Sequence, residues 1–210
     1  MNPKQRGWFW IRQAQHGCRP ERLSIEPSQK LFTVGHSTRT IDEFVDLLRS
    51  ACVDLVADVR SIPKSRRNPD YNLERLPGLL QLYQIGHVYL PELGGRRPRM
   101  PGVPAELNGY WENQSFHNYA DYALSDDFAE GMRRLLGIAE ERRCAIMCSE
   151  AVWWRCHRRI IADYALVRGW LVSHLMGVTR IVPATLTPGA QARDLLIFYP
   201  AADTDASPSD

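Results

Sequence analysis

The sequence predicts an α/β fold, Rossmann-like, in which a three-layer structure has a parallel sheet of five or six strands with helices on both faces. Short apolar runs rich in β-branched residues recur along the chain, and helical patterns separate them. The chain has 210 residues with 44% apolar content, which is enough for one core. We expect an extension over residues 1–29, a single domain over 30–200 and a disordered tail over 201–210.

Five strands are predicted along the chain. Each is a short apolar run, and most are bounded by Gly, Pro or polar residues, as strands buried on both faces are. A sixth strand would complete the sheet, but no further run is as clear. The five runs cover residues 31–35, 54–60, 87–91, 144–149 and 170–176.

Helical patterns fill most of the intervals between these strands. Thr40 and Glu43 have the spacing of a capping box, which predicts a helix that begins there and ends near Ala51. Gly169 is predicted to cap the last helix. Further apolar faces at helical spacing run through residues 72–84, 126–141 and 156–168.

The connection from Pro91 to His117 is too long for a plain loop. It is rich in Pro and Gly, and connections of this length in compact domains are usually functional. We therefore expect a lid or binding loop, within an added loop or helix region near residues 92–124.

Composition excludes several classes of protein. The 26 Lys and Arg residues nearly balance 24 Asp and Glu residues, so the formal charge of +2 is far from that of a dedicated nucleic-acid-binding protein. No apolar stretch is long enough for a membrane helix or a signal peptide, which predicts a cytoplasmic protein with no membrane partner. The five cysteines are expected to be thiols, because a reducing compartment disfavours a disulfide framework.

Polar side chains follow three of the predicted strands. In an open parallel sheet, ligands bind beyond the carboxyl ends of the strands, so these side chains are expected to converge on one cleft. The groups are His36 with Ser37, Asp58 with Arg60, and Cys148 with Glu150, followed by Cys156, His157 and Arg158 at the start of a helix.

Basic residues are also concentrated near this predicted cleft. Four of them lie between Arg60 and Arg67, in a segment stiffened by two prolines, and Arg96 opens a second basic group. Arginine binds phosphate and carboxylate groups through two parallel hydrogen bonds, so an anionic ligand suits this surface.

Several ordered motifs resemble the family known as domain of unknown function 488, over about residues 31–187. The resemblance implies a compact α/β domain with two characteristic cysteines, here Cys148 and Cys156, and no firmly established activity. The chain departs from the family in its N-terminal extension and in Trp153-Trp154-Arg155, where a proline is more usual. The matching motifs are Gly35-His36-Ser37, the run from Asp58 to Pro69, Leu93-Gly94-Gly95-Arg96, Tyr119-Ala120-Asp121-Tyr122, Met147-Cys148-Ser149-Glu150 and Cys156-His157-Arg158.

The leading hypothesis is a protein that binds a phosphate-bearing ligand, such as a nucleotide, a sugar phosphate or a nucleic-acid fragment. Its enzymatic version is a hydrolase or a transferase. Carboxylates and imidazoles would move protons, and arginines would orient the anion. The candidate catalytic residues are Cys148, Glu150, Asp58, His36 and His157. The candidate ligand-binding residues are Ser37, Arg60, Ser65, Arg66, Asn68, Arg96, Cys156 and Arg158.

Three alternatives stay open at this point. Cys148 is a candidate nucleophile, but its six-residue separation from Arg155 and the bulky residues between them do not fit the phosphate-binding loop of cysteine phosphatases. A nucleic-acid-binding module would use the basic loops with tryptophans as stacking platforms. A metal or redox site would use Cys148, Cys156 and His157, although the paired spacing of zinc motifs is missing. No metal ligand is assigned, and no cofactor or protein partner is identified.

Overall fold

The computed structural model describes residues 29–201 of the protein. The extension predicted over residues 1–29 and the tail predicted over 201–210 lie, apart from Gln29 and Ala201, outside the described residues. Within the described part, the α/β character and the mostly parallel sheet are confirmed.

A six-stranded sheet forms the centre of the structure, with the order β3-β2-β4-β1-β5-β6. All five predicted strands are present, with ends shifted by at most two residues. Residues 191–198 add a two-stranded ribbon, β7 and β8, that the sequence analysis did not predict. The strands are β1 Lys30–Gly35, β2 Leu55–Asp58, β3 Gly86–Tyr89, β4 Cys144–Cys148, β5 Leu171–Gly177, β6 Arg180–Pro183, β7 Gln191–Arg193 and β8 Leu196–Phe198.

The five predicted strands are parallel to one another, as expected, and the sixth strand makes the sheet mixed. β6 runs antiparallel to β5 because only Val178 and Thr179 connect them, and a connection this short can only form a hairpin. The strand order also differs from that of a Rossmann fold, since β4 lies between β2 and β1.

Five α-helices are described, and their ends follow local signals. The capping box of α1 is formed, since the Thr40 hydroxyl accepts from the Glu43 N–H at 3.3 Å and the Glu43 carboxylate accepts from the Thr40 N–H at 2.8 Å. After α5, Gly169 has a φ of +83° and ends the helix as predicted. The helices are α1 Ile41–Arg49, α2 Leu76–Gln81, α3 Gln114–Tyr122, α4 Asp126–Glu141 and α5 Arg158–Val167.

Each face of the sheet has its own hydrophobic core. Helices α1 and α2 cover one face, where Met147 of β4 is buried, and helices α3, α4 and α5 cover the other, where Ile146 is buried. Because successive side chains of a strand point to opposite faces, a short apolar run such as β4 serves both cores.

The connection after β3 contains short 3-10 helices at Pro91–Leu93 and Ala105–Asn108 and then α3. Two tyrosines of α3 hold its first part, because the Tyr119 hydroxyl donates to the Leu93 carbonyl at 2.8 Å and the Tyr122 hydroxyl donates to the Glu92 carbonyl at 2.7 Å. These bonds place Gly94, Gly95 and Arg96 beside the ends of β2 and β4. The role of this connection as a lid stays a prediction.

The polypeptide leaves the two central strands in opposite directions. β1 and β4 are neighbours, but β1 continues into α1 on one face of the sheet and β4 continues into α5 on the other. Such a reversal opens a crevice at the carboxyl ends of the strands. The cavity described below lies beside this point, at the carboxyl ends of β4 and β2.

Candidate functional site

A polar cavity of about 330 Å³ lies at the carboxyl ends of β2 and β4. Six of the residues predicted for the site line it: Arg60, Arg96, Cys148, Glu150, Cys156 and His157. The sequence analysis did not include several other lining residues in the site: Ser61, Ile62, Gly95, Ser115, Phe116, Ser149 and Arg155.

Asp58 and Arg60 form a buried ion pair behind the cavity. The Arg60 Nε and Nη2 atoms donate to the two carboxylate oxygens of Asp58 at 2.8 and 2.6 Å, and Nη2 also donates to the Tyr71 carbonyl at 2.7 Å. Burial favours a neutral Asp58, but the hydrogen bonds and charge of Arg60, together with His87, keep its pKa below the ordinary value. The Arg60 guanidinium is thus largely committed to internal partners.

His36 is an uncharged member of this buried group. Its Nδ1 atom donates to the Ser37 carbonyl at 2.9 Å, which leaves Nε2 to accept from Arg60 Nη1 at 3.4 Å. The ring stacks on Tyr71 with centroids 4.0 Å apart. Burial, followed by the charge of Arg60, lowers the pKa of His36 to about 4. His36 therefore accepts a hydrogen bond as neutral imidazole near pH 7.

His87 is a polar residue at the ion pair that the sequence analysis did not include in the site. Its Nε2 atom lies 3.5 Å from Asp58 Oδ2 and makes no hydrogen bond of good geometry within the described residues. Only the pairing of β3 with β2 brings them together, so no local signal could have identified it.

Cys156 lies at the inner wall of the cavity, where Arg158 Nε donates to its Sγ atom at 3.2 Å and Arg158 Nη2 donates to the Glu150 carbonyl at 2.5 Å. Burial opposes ionisation, but the hydrogen bond from Cys148 and the charge of Arg158 prevail and lower the pKa of Cys156 to about 6. The same hydrogen bond and burial raise the pKa of Cys148 to about 12. The thiolate is therefore favoured at Cys156, whereas the sequence analysis considered Cys148.

Three potential metal ligands meet beside this thiolate. The Sγ atoms of Cys148 and Cys156 and a ring nitrogen of His157 lie within 4.8 Å of one another. The two other cysteines within residues 29–201 differ from each other in oxidation state. Cys144 is a buried free thiol, but Cys52 is disulfide-bonded, so the prediction of five thiols is wrong for Cys52.

Five predicted ligand-binding residues do not line this cavity: Ser37, Ser65, Arg66, Asn68 and Arg158, the last of which is buried and donates to Cys156. The Ser65 hydroxyl accepts from the Asn68 N–H at 3.0 Å, and the Asn68 amide donates to the Arg39 carbonyl at 3.0 Å, so both shape the basic loop. Arg66 is exposed on that loop, and Ser37 lines a separate open depression. Their ligand contacts stay predictions.

The two tryptophans after the Cys-Glu motif do not line the cavity either. Trp153 stacks on His174 with centroids 4.3 Å apart, and Trp154 is 45% exposed. Trp153 thus packs on β5, and neither tryptophan is part of the cavity wall.

The motifs that form this site also identify the family. The family model described as "Domain of unknown function DUF488" matches residues 40–165, more than half of the chain. The chain belongs to the DUF488 family. The match includes Asp58, Arg60, Cys148, Cys156 and Arg158, but it does not reach the His36 motif that also suggested the resemblance.

No curated protein and no solved structure matches this DUF488 chain. Within residues 29–201, no helix is both long and apolar enough to cross a membrane.

Proposed function

We propose that this DUF488 protein binds a phosphate-bearing ligand in the cavity and acts on it as a hydrolase or a transferase. The observation that carries the proposal is the charge of the cavity wall. Arg96 and Arg155 line it, and within the described residues their guanidinium groups make no hydrogen bond or ion pair. Glu150 is the one carboxylate among the described lining residues.

Two guanidinium groups that have no partner within residues 29–201 lie beside a small cavity, and this arrangement favours an anion of defined size. A volume of about 330 Å³ falls at the lower end of the range of small-molecule sites. Part of a nucleotide or of a sugar phosphate would fit into this volume, and the phosphate group would lie at the rim of the cavity. Arginine is the side chain best suited to hold phosphate oxygens in pairs.

Neutral donors supplement the arginines. The Ser61 Oγ atom accepts from the Arg96 N–H at 2.8 Å, which leaves its own hydrogen to donate, and Ser115 and Ser149 offer further hydroxyl groups. The buried Asp58–Arg60 pair supports this wall from behind. Under this proposal Arg96 and Arg155 contact the ligand, whereas Arg60 mainly positions the wall.

Glu150 is the candidate proton carrier of the cavity. Its carboxylate is exposed at the mouth, where it would reach the leaving group or the acceptor of a bound phosphate ester. Hydrolysis would use water as the acceptor, and transfer would use a hydroxyl or an amine.

Ligand binding by the full chain tests this proposal. We expect calorimetry or thermal shift to find binding of one class among nucleotides and sugar phosphates. Arg96→Gln and Arg155→Gln should each weaken binding about 10-fold to 100-fold, the loss expected for one charged hydrogen bond. Arg67→Gln is the matched control, because Arg67 is exposed and does not line the cavity. Binding that is equally weakened by Arg67→Gln, or no binding of any phosphate, would contradict the proposal.

A single-stranded nucleic-acid fragment is the second candidate ligand. Ile62 and Trp154 are 54% and 45% exposed, and Lys64, Arg66 and Arg67 lie on the loop after Ile62. Exposed apolar groups beside basic residues suit base stacking and phosphate tracking. An affinity that falls steeply with salt would favour this candidate, whereas a weak dependence would favour a small phosphate.

A further inference from the structure

The end of β4 and the segment before α5 bring together two thiols and an imidazole at one wall of the cavity. Cys148 ends β4, and Cys156 and His157 directly precede α5. The spacing between the cysteines has no paired zinc motif, but the fold returns the chain so that all three donor atoms lie within 4.8 Å. Two thiolates and one imidazole form a soft donor set that suits zinc.

The distances agree with a tetrahedral ion. With Zn–S of about 2.3 Å and Zn–N of about 2.05 Å, sulfur and nitrogen ligands lie about 3.6 Å apart and two sulfurs about 3.8 Å apart. Cys156 Sγ and His157 Nδ1 are 3.6 Å apart. The widest pair of donors is within 4.8 Å and therefore needs to close by at most about 1 Å, which side-chain rotation can supply.

Neighbouring groups orient two of the donors as they would for a metal. His157 Nε2 donates to the Val59 carbonyl at 3.1 Å, which leaves Nδ1 as the basic nitrogen on the side of Cys156. A hydrogen bond from Arg158 Nε reaches Cys156 Sγ at 3.2 Å. Gly95 packs directly on the imidazole, since a Cβ atom there would lie 2.3 Å from His157 Nδ1.

We propose that Cys148, Cys156 and His157 bind one zinc ion through both Sγ atoms and Nδ1. On binding, Zn²⁺ displaces the protons of the thiols, and the fourth position faces the cavity that the same three residues line. Three protein ligands with one open position are typical of catalytic zinc sites, whereas structural sites have four. This site goes beyond the proposed function and does not depend on a phosphate ligand.

Metal titration of the full chain, with any affinity tag removed, tests the zinc site. After removal of metal with a chelator under reducing conditions, we expect wild type to bind one equivalent of Zn²⁺. Co²⁺ in its place should give thiolate charge-transfer absorption and the strong visible bands of tetrahedral cobalt. Cys148→Ser, Cys156→Ser and His157→Gln should each weaken binding by more than the roughly 10-fold to 100-fold that loss of a second-shell partner costs.

Two controls separate metal binding from folding and from the anion proposal. Cys144→Ala removes a buried thiol from the other end of β4, about 13 Å from Cys148, and should keep the zinc affinity. Arg96→Gln should keep it too, even if phosphate binding is lost. Circular dichroism and thermal melting identify any variant that fails to fold. If one fails, the wild-type protein supplies the test, because bound Zn²⁺ should protect Cys148 and Cys156 from alkylation.

Three results would overturn the zinc site. They are wild-type protein that takes up no Zn²⁺ or Co²⁺, Cys144→Ala that loses metal as strongly as Cys148→Ser, and a Cys148–Cys156 disulfide in protein purified without oxygen. The last would assign the pair to redox chemistry instead.

Discussion

Asp58 is fully buried, and its charge is balanced within a small group of polar side chains. Arg60 is 4% exposed and binds both carboxylate oxygens. Taking an ion pair out of water is costly, so the pair survives only because nearly every donor and acceptor has a partner. Removal of one member leaves the other as an uncompensated buried charge.

The first prediction follows from this group. Asp58→Asn should lower the free energy of unfolding by about 3 to 5 kcal/mol, because the Arg60 guanidinium stays buried without its counter-charge. Asp54→Asn is the matched control, since Asp54 pairs with Arg142 where both side chains are more than 40% exposed, and it should cost less than about 1 kcal/mol. Urea unfolding of both variants is the measurement, and equal losses would contradict the prediction.

Individual residues were predictable where strand ends lie next to them in the sequence. Asp58, Arg60, Cys148 and Glu150 follow directly from that rule. His87 was not predictable, because it reaches Asp58 across two paired strands. The preference for Cys156 over Cys148 as the thiolate depends on the hydrogen bond between the two cysteines and on the charge of Arg158, contacts that no spacing reveals.

At the scale of elements, the loop after β4 packs directly against the end of β1. The Ser37 N–H donates to the Ser149 carbonyl at 3.0 Å, and a Cβ atom on Gly35 would lie 1.8 Å from the Glu150 carbonyl oxygen. The loop after β4 therefore approaches the end of β1 this closely only because Gly35 lacks a side chain. The position of Glu150 in the cavity depends on that contact.

The second prediction tests this approach of β1 and the loop after β4. Gly35→Ala should destabilise the protein by about 1 to 3 kcal/mol, because backbone atoms must move to admit the methyl group. It should also weaken the proposed phosphate binding, since the loop carries Glu150 and leads to Arg155. Gly137→Ala in α4 meets no atom of residues 29–201 within 4 Å and should instead stabilise the protein by about 0.5 to 1 kcal/mol. Thermal melting and ligand titration compare the two variants. A Gly35→Ala protein that is as stable as wild type and binds the phosphate ligand as tightly would contradict the prediction.

Elements with strong local patterns were predictable, and those that depend on distant contacts were not. The capping box of α1 and the glycine after α5 gave correct ends. The pattern over residues 72–84 overestimated α2, which begins at Leu76 after a separate 3-10 turn at Pro69–Tyr71. The ribbon of β7 and β8 is short and largely exposed, so its residues carry no alternating apolar pattern.

At the scale of the whole molecule, stability is linked to pH through two buried histidines. Burial and nearby arginines lower the pKa of His36 and of His174 to about 4. His174 Nδ1 bonds to the Thr33 hydroxyl at 2.7 Å, and its ring stacks on Trp153. The unfolded chain takes up protons near pH 6.5, whereas the native protein takes them up only near pH 4.

The third prediction states the sign of this linkage. As pH falls from about 6.5 to about 4, the free energy of unfolding should fall by about 1.4 kcal/mol per pH unit for each histidine. His174→Gln keeps an amide for Thr33 and should remove about half of that slope. Burial raises the pKa of Asp163, so this carboxylate also makes stability depend on pH. Its contribution is the same in wild type and in His174→Gln and therefore cancels when the two slopes are compared. Urea unfolding at several pH values is the measurement, and identical slopes would rule out His174 as a contributor.

The strand order was the least predictable feature of the molecule. Alternating strands and helices predict a mostly parallel sheet, but they do not specify which strands are neighbours. The place of β4 between β1 and β2 is determined by helices packing on both faces, a property of the complete chain. A cleft at the strand ends was therefore predictable, whereas the part of its wall that Ser115, Phe116 and Arg155 form was not.

That same strand order determines when the sheet can close during synthesis. β1 and β2 emerge early from the ribosome, yet neither is the other's neighbour, and both wait for β4 to be inserted between them. From Asp58 to Cys144 about 85 residues must still be translated, which takes roughly 4 to 17 s at cellular rates. Throughout that interval the nascent chain exposes unpaired edges of β1 and β2, so a chaperone that shields them would raise the yield of folded protein.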